Sequence, residues 1–458
     1  MGTLNTAMWI AAQALDVDQG ALNVTSNNIA NANTPGYSRE VVDITEQTPV
    51  ESGNLTIGTG VTLQQIQSIR DQMLTVMISE QTTQQSGAQA QLNGLQQVEG
   101  LFSDPTQGIG ANLSAFFNSI QQLSTDPSNL AQRQSVITAA QNLVSSFNQT
   151  ANSLGTIQSS LNQSVSSTVT QINSLTAQIA QLNSQVGEMQ KLGKDPGSVL
   201  DQENQLINQL SQLTNVNEIQ TENGFTLTTG NGTALVVGNQ SFNLTVGNGP
   251  NGMQDVFSQG QDITSSIQGG SLGGTIQVRD QDIPNILNQV NTLASQFATA
   301  FNNAQAKGFD LNGNAGQALF SFNANGAAGS LALTTTNPDA IAASSDGTPG
   351  SNGNIANLMA VSTSQLPMGE TPTDAYANIV STSGNMAAQA QADVTSSTAS
   401  LNQLNDQLGA ISGVSINEET ANMLTYQTAF TAAARVVTTV DQLNQAVLDM
   451  GSGVTPVS

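Results

Sequence analysis

Apolar residues recur along this chain at intervals of three and four, most regularly at its two ends. Leu4, Met8, Ala11, Leu15, Leu22 and Ile29 mark a heptad interrupted by Asp18 and Thr25, and Pro35-Gly36 closes it. At the other end Ile416, Met423, Phe430, Val437 and Asn444 recur every seventh residue, with Tyr426, Ala433, Val440 and Val447 three positions on. Both ends therefore predict seam-forming helices. A longer repeat joins Leu154, Leu161, Leu175, Leu182 and Met189 with Val165, Ile172, Ile179 and Val186, a rod of roughly 50 Å. Gly193-Lys194-Asp195-Pro196-Gly197 predicts a turn, and Leu200, Leu206, Ile207, Leu210 and Leu213 a returning helix.

Further helices are signalled by caps: Asp104-Pro105, Asp126-Pro127, and Asp282 with Pro284 ahead of Ile286, Leu287, Val290, Leu293, Phe297 and Phe301. From Thr373 to Leu408 the period is again helical. Between these segments the period drops to two. Phe225/Leu227, Leu235/Val237 and Phe242/Leu244/Val246 predict a three-strand meander with Gly-Asn turns, and Ile276 and Val278 extend the strand signal past a glycine cluster. A Gly/Ala/Asn-rich stretch around Leu331/Leu333 reads as short strands and loops. The fold expected is mainly α with β insertions: N- and C-terminal helices paired as a coiled coil, a long antiparallel helical bundle, and small β-rich outer domains. The expected division is 1–40 plus 414–458 for the coiled coil, 41–220 plus 280–306 plus 370–413 for the bundle, 221–279 for a β insertion, and 307–369 for a reduced outer domain.

Composition narrows the chemistry. The 458 residues hold 32 Asp+Glu against 8 Lys+Arg, a net charge of −24, with no Cys and no His. Thiol nucleophiles, disulfides, Ser-His-Asp triads and imidazole or thiolate metal sites are excluded. Charged residues make up only 9%, far under the ~25% usual for soluble domains, so the surface is built from Asn, Gln, Ser and Thr. The few basic residues are scattered and cannot neutralise a run of phosphates, which argues against nucleic acid. No apolar run approaches the ~20 residues of a membrane span, and the first ten residues lack the pattern of a cleaved secretory signal.

Three candidate motifs carry modest chemistry. Asp310-Leu311-Asn312-Gly313-Asn314 alternates oxygen donors, but Ala315 and Ser321 stand where a calcium loop needs Gly and Glu, so a turn is expected. The carboxylates Glu418-Glu419 and Asp201/Glu203 would need to face one pocket to act as a glycosidase pair. Adjacent Glu418 and Glu419 point to different sides of a regular helix and suit its first turn. No catalytic residue, metal ligand or cofactor site is expected. Asn444, in a core position of its repeat, either sets register or faces solvent. The terminal stripes are narrow, poor in charge and rich in Ala, so they gain stability from packing, within the chain or against neighbouring copies.

Ser26-Asn27-Asn28-Ile29-Ala30-Asn31-Ala32-Asn33-Thr34-Pro35-Gly36-Tyr37-Ser38-Arg39 closely resembles the N-terminal motif of the bacterial flagellar rod, hook and hook-associated proteins. Ile411 to Glu419, with Met423, Leu424 and Tyr426-Gln427, resembles their C-terminal motif. Leu200 to Leu206, Gly270 to Asp282 and Gly308 to Gly316 are similar to the family's hook–filament junction branch; the likeness weakens from 320 to 370. The resemblance implies a non-enzymatic structural subunit, extracellular in the flagellum and exported unfolded without a cleaved signal peptide. It implies self-association into a ring through Leu4, Met8, Leu15, Leu22, Ile29, Ile416, Met423, Phe430, Val437, Val440 and Val447. Asn28, Ala30, Asn31, Pro35, Gly36 and Tyr37 would be the shared motif. Implied partners are the hook protein, hook-associated protein 3 and an export chaperone on the C-terminal helix, for which Met423, Phe430, Val437 and Val440 are candidates. Rival readings are another axial subunit, hook or distal rod, and a secreted cell-wall glycoside hydrolase.

Overall fold

The computed structural model describes residues 2–52, 55–103, 108–221 and 224–452. Helix α1 (Gly2–Asn31) is followed by a ribbon in which β1 (Glu40–Glu46) pairs antiparallel with β4 (Val61–Ser68), and β2 (Val50–Ser52) with β3 (Leu55–Ile57). Four helices come next: α2 (Gln72–Gly100), α3 (Ile109–Leu123), α4 (Leu130–Lys191) and α5 (Gly197–Leu213). The strands β5 (Val216–Thr221), β6 (Gly224–Thr229), β7 (Ala234–Val237) and β8 (Gln240–Ser241) form one sheet in that order. A second sheet places β10 (Gln254–Ser258) between β9 (Leu244–Asn248) and β11 (Gln261–Asp262). Helix α6 (Gly270–Gln277) runs through a π turn into α7 (Ile283–Gln305). After β12 (Phe320–Ser321), α8 (Ala327–Ser330), β13 (Ala332–Leu333) and α9 (Ile355–Thr363), the long helices α10 (Pro372–Ser412) and α11 (Ile416–Ser452) end the chain.

Helix α4 is the spine. Its 62 residues extend roughly 90 Å. Along its N-terminal half Val136, Ile137, Ala140, Leu143 and Phe147 enter a core shared with α2, α3, α7, α9 and α10. Along its C-terminal half Val165, Val169, Ile172 and Ile179 enter a second core with α5, α6 and the two sheets. Where the repeat places Leu182, the buried position belongs instead to Asn183, whose amide donates to the carbonyls of Phe225 and Gly238 at 2.8 Å and accepts from the Phe225 N–H. The side chain thus satisfies strand ends that a leucine would leave unpaired.

The structure corrects several local expectations. The stretch from 41, read as the start of the helical bundle, instead opens with strands, and β1 and β4 pack on α1. The third meander strand, Phe242/Leu244/Val246, is split: the Phe242 N–H bonds to the Leu235 carbonyl of β7, whereas Leu244 and Val246 pair with β10. Ile276 and Val278 are helical or in the π turn, because glycines let two helices touch: a Cβ on Gly274 would collide with the Gly87 carbonyl of α2. Asn129, not Asp126, caps α4, accepting from the N–H groups of Ala131 and Gln132. Asp282 sits inside the continuous α6–α7 turn and receives Gln91 Nε2 at 3.1 Å. Asp310 Oδ1 accepts from the N–H groups of Asn312 and Asn314, both 2.8 Å, in a tight turn at Gly313. The Asp104-Pro105 cap and residues 453–458 lie outside the described residues.

Candidate assembly site

Helices α1 and α11 pack antiparallel, and both connections from this pair to the rest of the molecule pass through one point. On the N-terminal side the crossing is residues 32–39; on the C-terminal side it is only residues 413–415. Three stretches singled out in the sequence meet there.

The first is the end of α1. Asn28 is 1% exposed and uses its whole amide: Nδ2 donates to the Glu40 carbonyl (2.8 Å) and Glu419 Oε2 (3.1 Å), while Oδ1 accepts from the Tyr37 hydroxyl (2.8 Å) and the Glu40 N–H (2.9 Å). Gly36, at φ +77°, bends the chain so that Tyr37 can fold back onto Asn28; a side chain there would also meet Gln205. Burial, aided by the carboxylates of Glu40, Asp201 and Glu419, pushes the Tyr37 hydroxyl above its ordinary value and keeps it a donor.

The second is α11's first turn. Glu418 and Glu419 both turn toward Arg39, at 2.7 Å from its Nη2 and Nε, which overturns the expectation that they diverge. Burial opposes the guanidinium's charge, but these two carboxylates outweigh it and raise its pKa. The Arg39 N–H donates to the Ser412 carbonyl at 2.9 Å, tying the same residue to the end of α10.

The third is α5. Asp201 accepts from the N–H and hydroxyl of Ser38 (3.0 and 2.8 Å) and from Arg70 Nη2 (2.8 Å), and Gln205 Nε2 donates to the Pro35 carbonyl. The body thereby grips the turn that leaves α1. Glu203 faces the other way, fully buried, accepting from the Phe225 N–H at 3.1 Å, so Asp201 and Glu203 are not a facing pair. Ala30 is exposed, Asn31 donates back to Asn27, and Pro35 contributes its carbonyl.

The apolar seam is arranged differently. On α1 the buried positions are Ala11, Val17, Ala21, Val24, Thr25 and Asn28, whereas Leu4, Leu15, Leu22 and Ile29 are half-buried and Met8 is exposed. On α11 Met423, Phe430, Val437 and Val447 are half-buried, Val440 is buried and Ile416 is exposed; Asn444 is half-buried in the same stripe. Trp9, Leu424, Val436, Leu443, Leu448 and Met450 remain exposed. A single copy thus leaves much of this pair's apolar surface uncovered.

Sequence reasoning missed the arginine ties. Arg133 is buried with its guanidinium on the carbonyls of Pro127 (2.6 Å) and Ile341 (2.8 Å), and Arg279 is buried against Asp280, Asn162 and the Gln254 carbonyl. Their rarity was the available signal: in so uncharged a chain, an arginine has few generic surface roles.

Comparison with known proteins bears on the whole arrangement. The family "Flagellar hook-associated protein FlgK helical domain" matches residues 95–320, "Flagellar basal body rod FlgEFG protein C-terminal" matches 409–450, and "Flagella basal body rod protein" matches 8–37. Flagellar hook-associated protein 1 of Bacillus subtilis is 30% identical, over 97% of this chain and 98% of that protein. The Salmonella typhimurium protein of the same name is 27% identical over 68% of this chain and 58% of its own length. The solved structure of the flagellar hook junction protein FlgK from Burkholderia pseudomallei superposes with a TM-score of 0.66 at 20% identity, over 73% of this chain and all of that one.

Proposed function

The chain belongs to the flagellar hook-associated protein 1 family of the bacterial flagellum, and from that premise we propose that it joins hook to filament as a ring of copies whose terminal helices complete one another's seams. The observation that most supports this reading is the clasp. Asn28, Arg39 and Asp201 hold an incompletely buried helix pair at a set angle to a body with its own closed cores. A subunit so built presents its apolar stripes to neighbours while the body keeps its shape.

In this reading α1 and α11 form the inner layer, the helices between form the next, and the β insertions face outward. Leu4, Met8, Leu15, Leu22 and Ile29 with Ile416, Met423, Phe430, Val437, Val440 and Val447 are the interface. The hook protein and hook-associated protein 3 are the neighbours along the axis. An export chaperone covers the α11 stripe before assembly, the chain travels unfolded without losing a signal peptide, and ordering of the ends is completed on assembly. The role is structural and not catalytic: Glu418 and Glu419 are engaged by Arg39, and Asp201 by Arg70 and Ser38. Among the described residues no helix is long and apolar enough to cross a membrane.

A deletion strain tests the assignment. Hooks without filaments, with flagellin shed into the medium, are expected; absent hooks would move the chain to a rod or hook role. Turnover of cell-wall glycan by the purified protein, lost in Glu418→Gln, would restore the hydrolase reading.

A further inference from the structure

Two side chains on the terminal pair stand out by being solitary. Arg435 is the single basic residue of α1 and α11, and it makes no ion pair among the described residues. Its heptad position, midway between Ala433 and Val437 of the stripe facing α1, turns it outward, and it is exposed. Trp9 is the only tryptophan of the chain and is 58% exposed. It borders an open groove of about 600 Å³ whose other walls include Thr45, Glu46, Val50, Thr62 and Gln64 of the ribbon. A tryptophan face beside a free carboxylate is a fitting receptor for a guanidinium, by cation–π attraction and charge together.

The heights agree. The Asn28–Glu419 bond fixes the antiparallel register, so Trp9, 19 residues before Asn28, lies level with Thr438, 19 residues after Glu419. Arg435 is three residues away, roughly 4.5 Å along the axis, within the reach of an arginine side chain. Copies standing side by side at similar height bring one copy's Arg435 to the next copy's groove. With a net charge of −24 per chain, adjacent copies otherwise repel, and few cations are free to offset this. Arg39, Arg70 and Arg279 are held by carboxylates within the chain, and Arg133 by backbone carbonyls.

We propose that Arg435 of one copy docks between Trp9 and Glu46 of its neighbour, setting the lateral register of the ring; this rests on the ring reading above. Val436 and Leu443, exposed at the flank of the seam, supply apolar contact beside it, while the arginine supplies direction.

The absence of native cysteine makes a direct test possible. Full-length Glu46→Cys and Arg435→Cys chains are co-expressed, and the isolated flagella are oxidised. A mixed dimer at least about fivefold above the Glu46→Cys/Gln442→Cys pairing is expected, since Gln442 shares the face but lies one heptad along. In parallel, Arg435→Glu should lower the number of filamented cells about tenfold, and the swap Glu46→Arg/Arg435→Glu should recover most of it. Wild-type rings with no mixed dimer above the control, or a swap no better than Arg435→Glu alone, overturn the docking and leave the ring reading standing. Imaging that finds no ring of copies overturns both.

Discussion

The core around α3 and α7 and the helix pair α1/α11 are both built from heptad-like stripes, yet they bury them to opposite extents. In the body, Phe116, Phe297, Phe301 and Phe320 are nearly or wholly inaccessible and touch as tilted, stacked or edge-on rings with centroids 5.0–6.2 Å apart. In the terminal pair, Ala, Val and Thr fill the close contacts while Trp9, Val436, Leu443 and Met450 are exposed. Periodicity is common to both regions. What separates them is side-chain volume and the number of helices around each stripe: two helices cannot enclose a face that three or four can. The body closes its own cores, whereas the pair leaves much of its apolar surface uncovered.

The largest break in that contrast is Phe297→Ala. Removing a ring from the center of the aromatic cluster should destabilise the body by about 3–5 kcal/mol, read as a single shifted midpoint in urea. Arg39→Met comes next and should act on the pair alone. It leaves Glu419, 2% exposed, without its cation, so about 2–4 kcal/mol of docking is lost. Amide exchange along α1 and α11 should then rise while the midpoint of the body stays in place. If the body's midpoint fell with it, the clasp would be part of one cooperative unit and the contrast would fail.

Much of this was legible in the chain. The helical period was legible for α7, α10, α11 and the second half of α4, whereas α2 and the first half of α4 carried no repeat that marked them, and α4 runs well beyond the rod expected from 154–189. The clasp was visible in pieces: Asn28, Tyr37, Asp201 and Glu419 each lay in a stretch that resemblance had picked out. That α1, α5 and α11 meet there was not visible, since the bonds of Asp201 to Ser38 and of Asn28 to Glu419 span 163 and 391 positions. Two of the failures came from tertiary contacts overriding local pattern. Ile276 and Val278 look like strand residues, and only the glycine-to-glycine approach of α6 and α2 keeps them helical. Asn183 occupies a place in the repeat that hydrophobicity gives to Leu182, because a tertiary hydrogen bond decided it.

A smaller, pH-dependent effect divides the body itself. Glu203 is buried, and that burial pushes its carboxyl up to about 7, with the Phe225 N–H opposing and Glu218 adding to the rise. Burial raises Glu218 as well. A carboxyl whose folded pKa lies above its unfolded value of 4.5 supports folding fully below that value and loses this support as pH climbs through about 7. The second core should therefore weaken by about 2 kcal/mol between pH 4.5 and 8, read by exchange in β5–β7. Glu203→Gln keeps an acceptor for Phe225 and should flatten the profile, whereas around α7 the carboxyl that burial raises is Asp282, at the helix start, so the rings of Phe297 and Phe301 farther along should show a smaller change.

The smallest effect on stability is expected where the effect on assembly is greatest. Leu443 is 48% exposed at the flank of the α1/α11 seam, so Leu443→Ser removes only part of what a single copy buries, and the monomer's urea midpoint should move by less than about 1 kcal/mol. If the proposed ring packs through this flank, the same side chain would bury most of its area against a neighbour, about 2 kcal/mol for each copy. Because every subunit carries the change, the loss is repeated at each contact, and cells should retain hooks but shed flagellin. Leu293→Ser, in the closed core of α7, should do the reverse and unfold the body before any junction can form. A Leu443→Ser chain that folded normally and still supported full filaments would place the working seam elsewhere on the pair and make the exposed stripe an ordinary solvated surface.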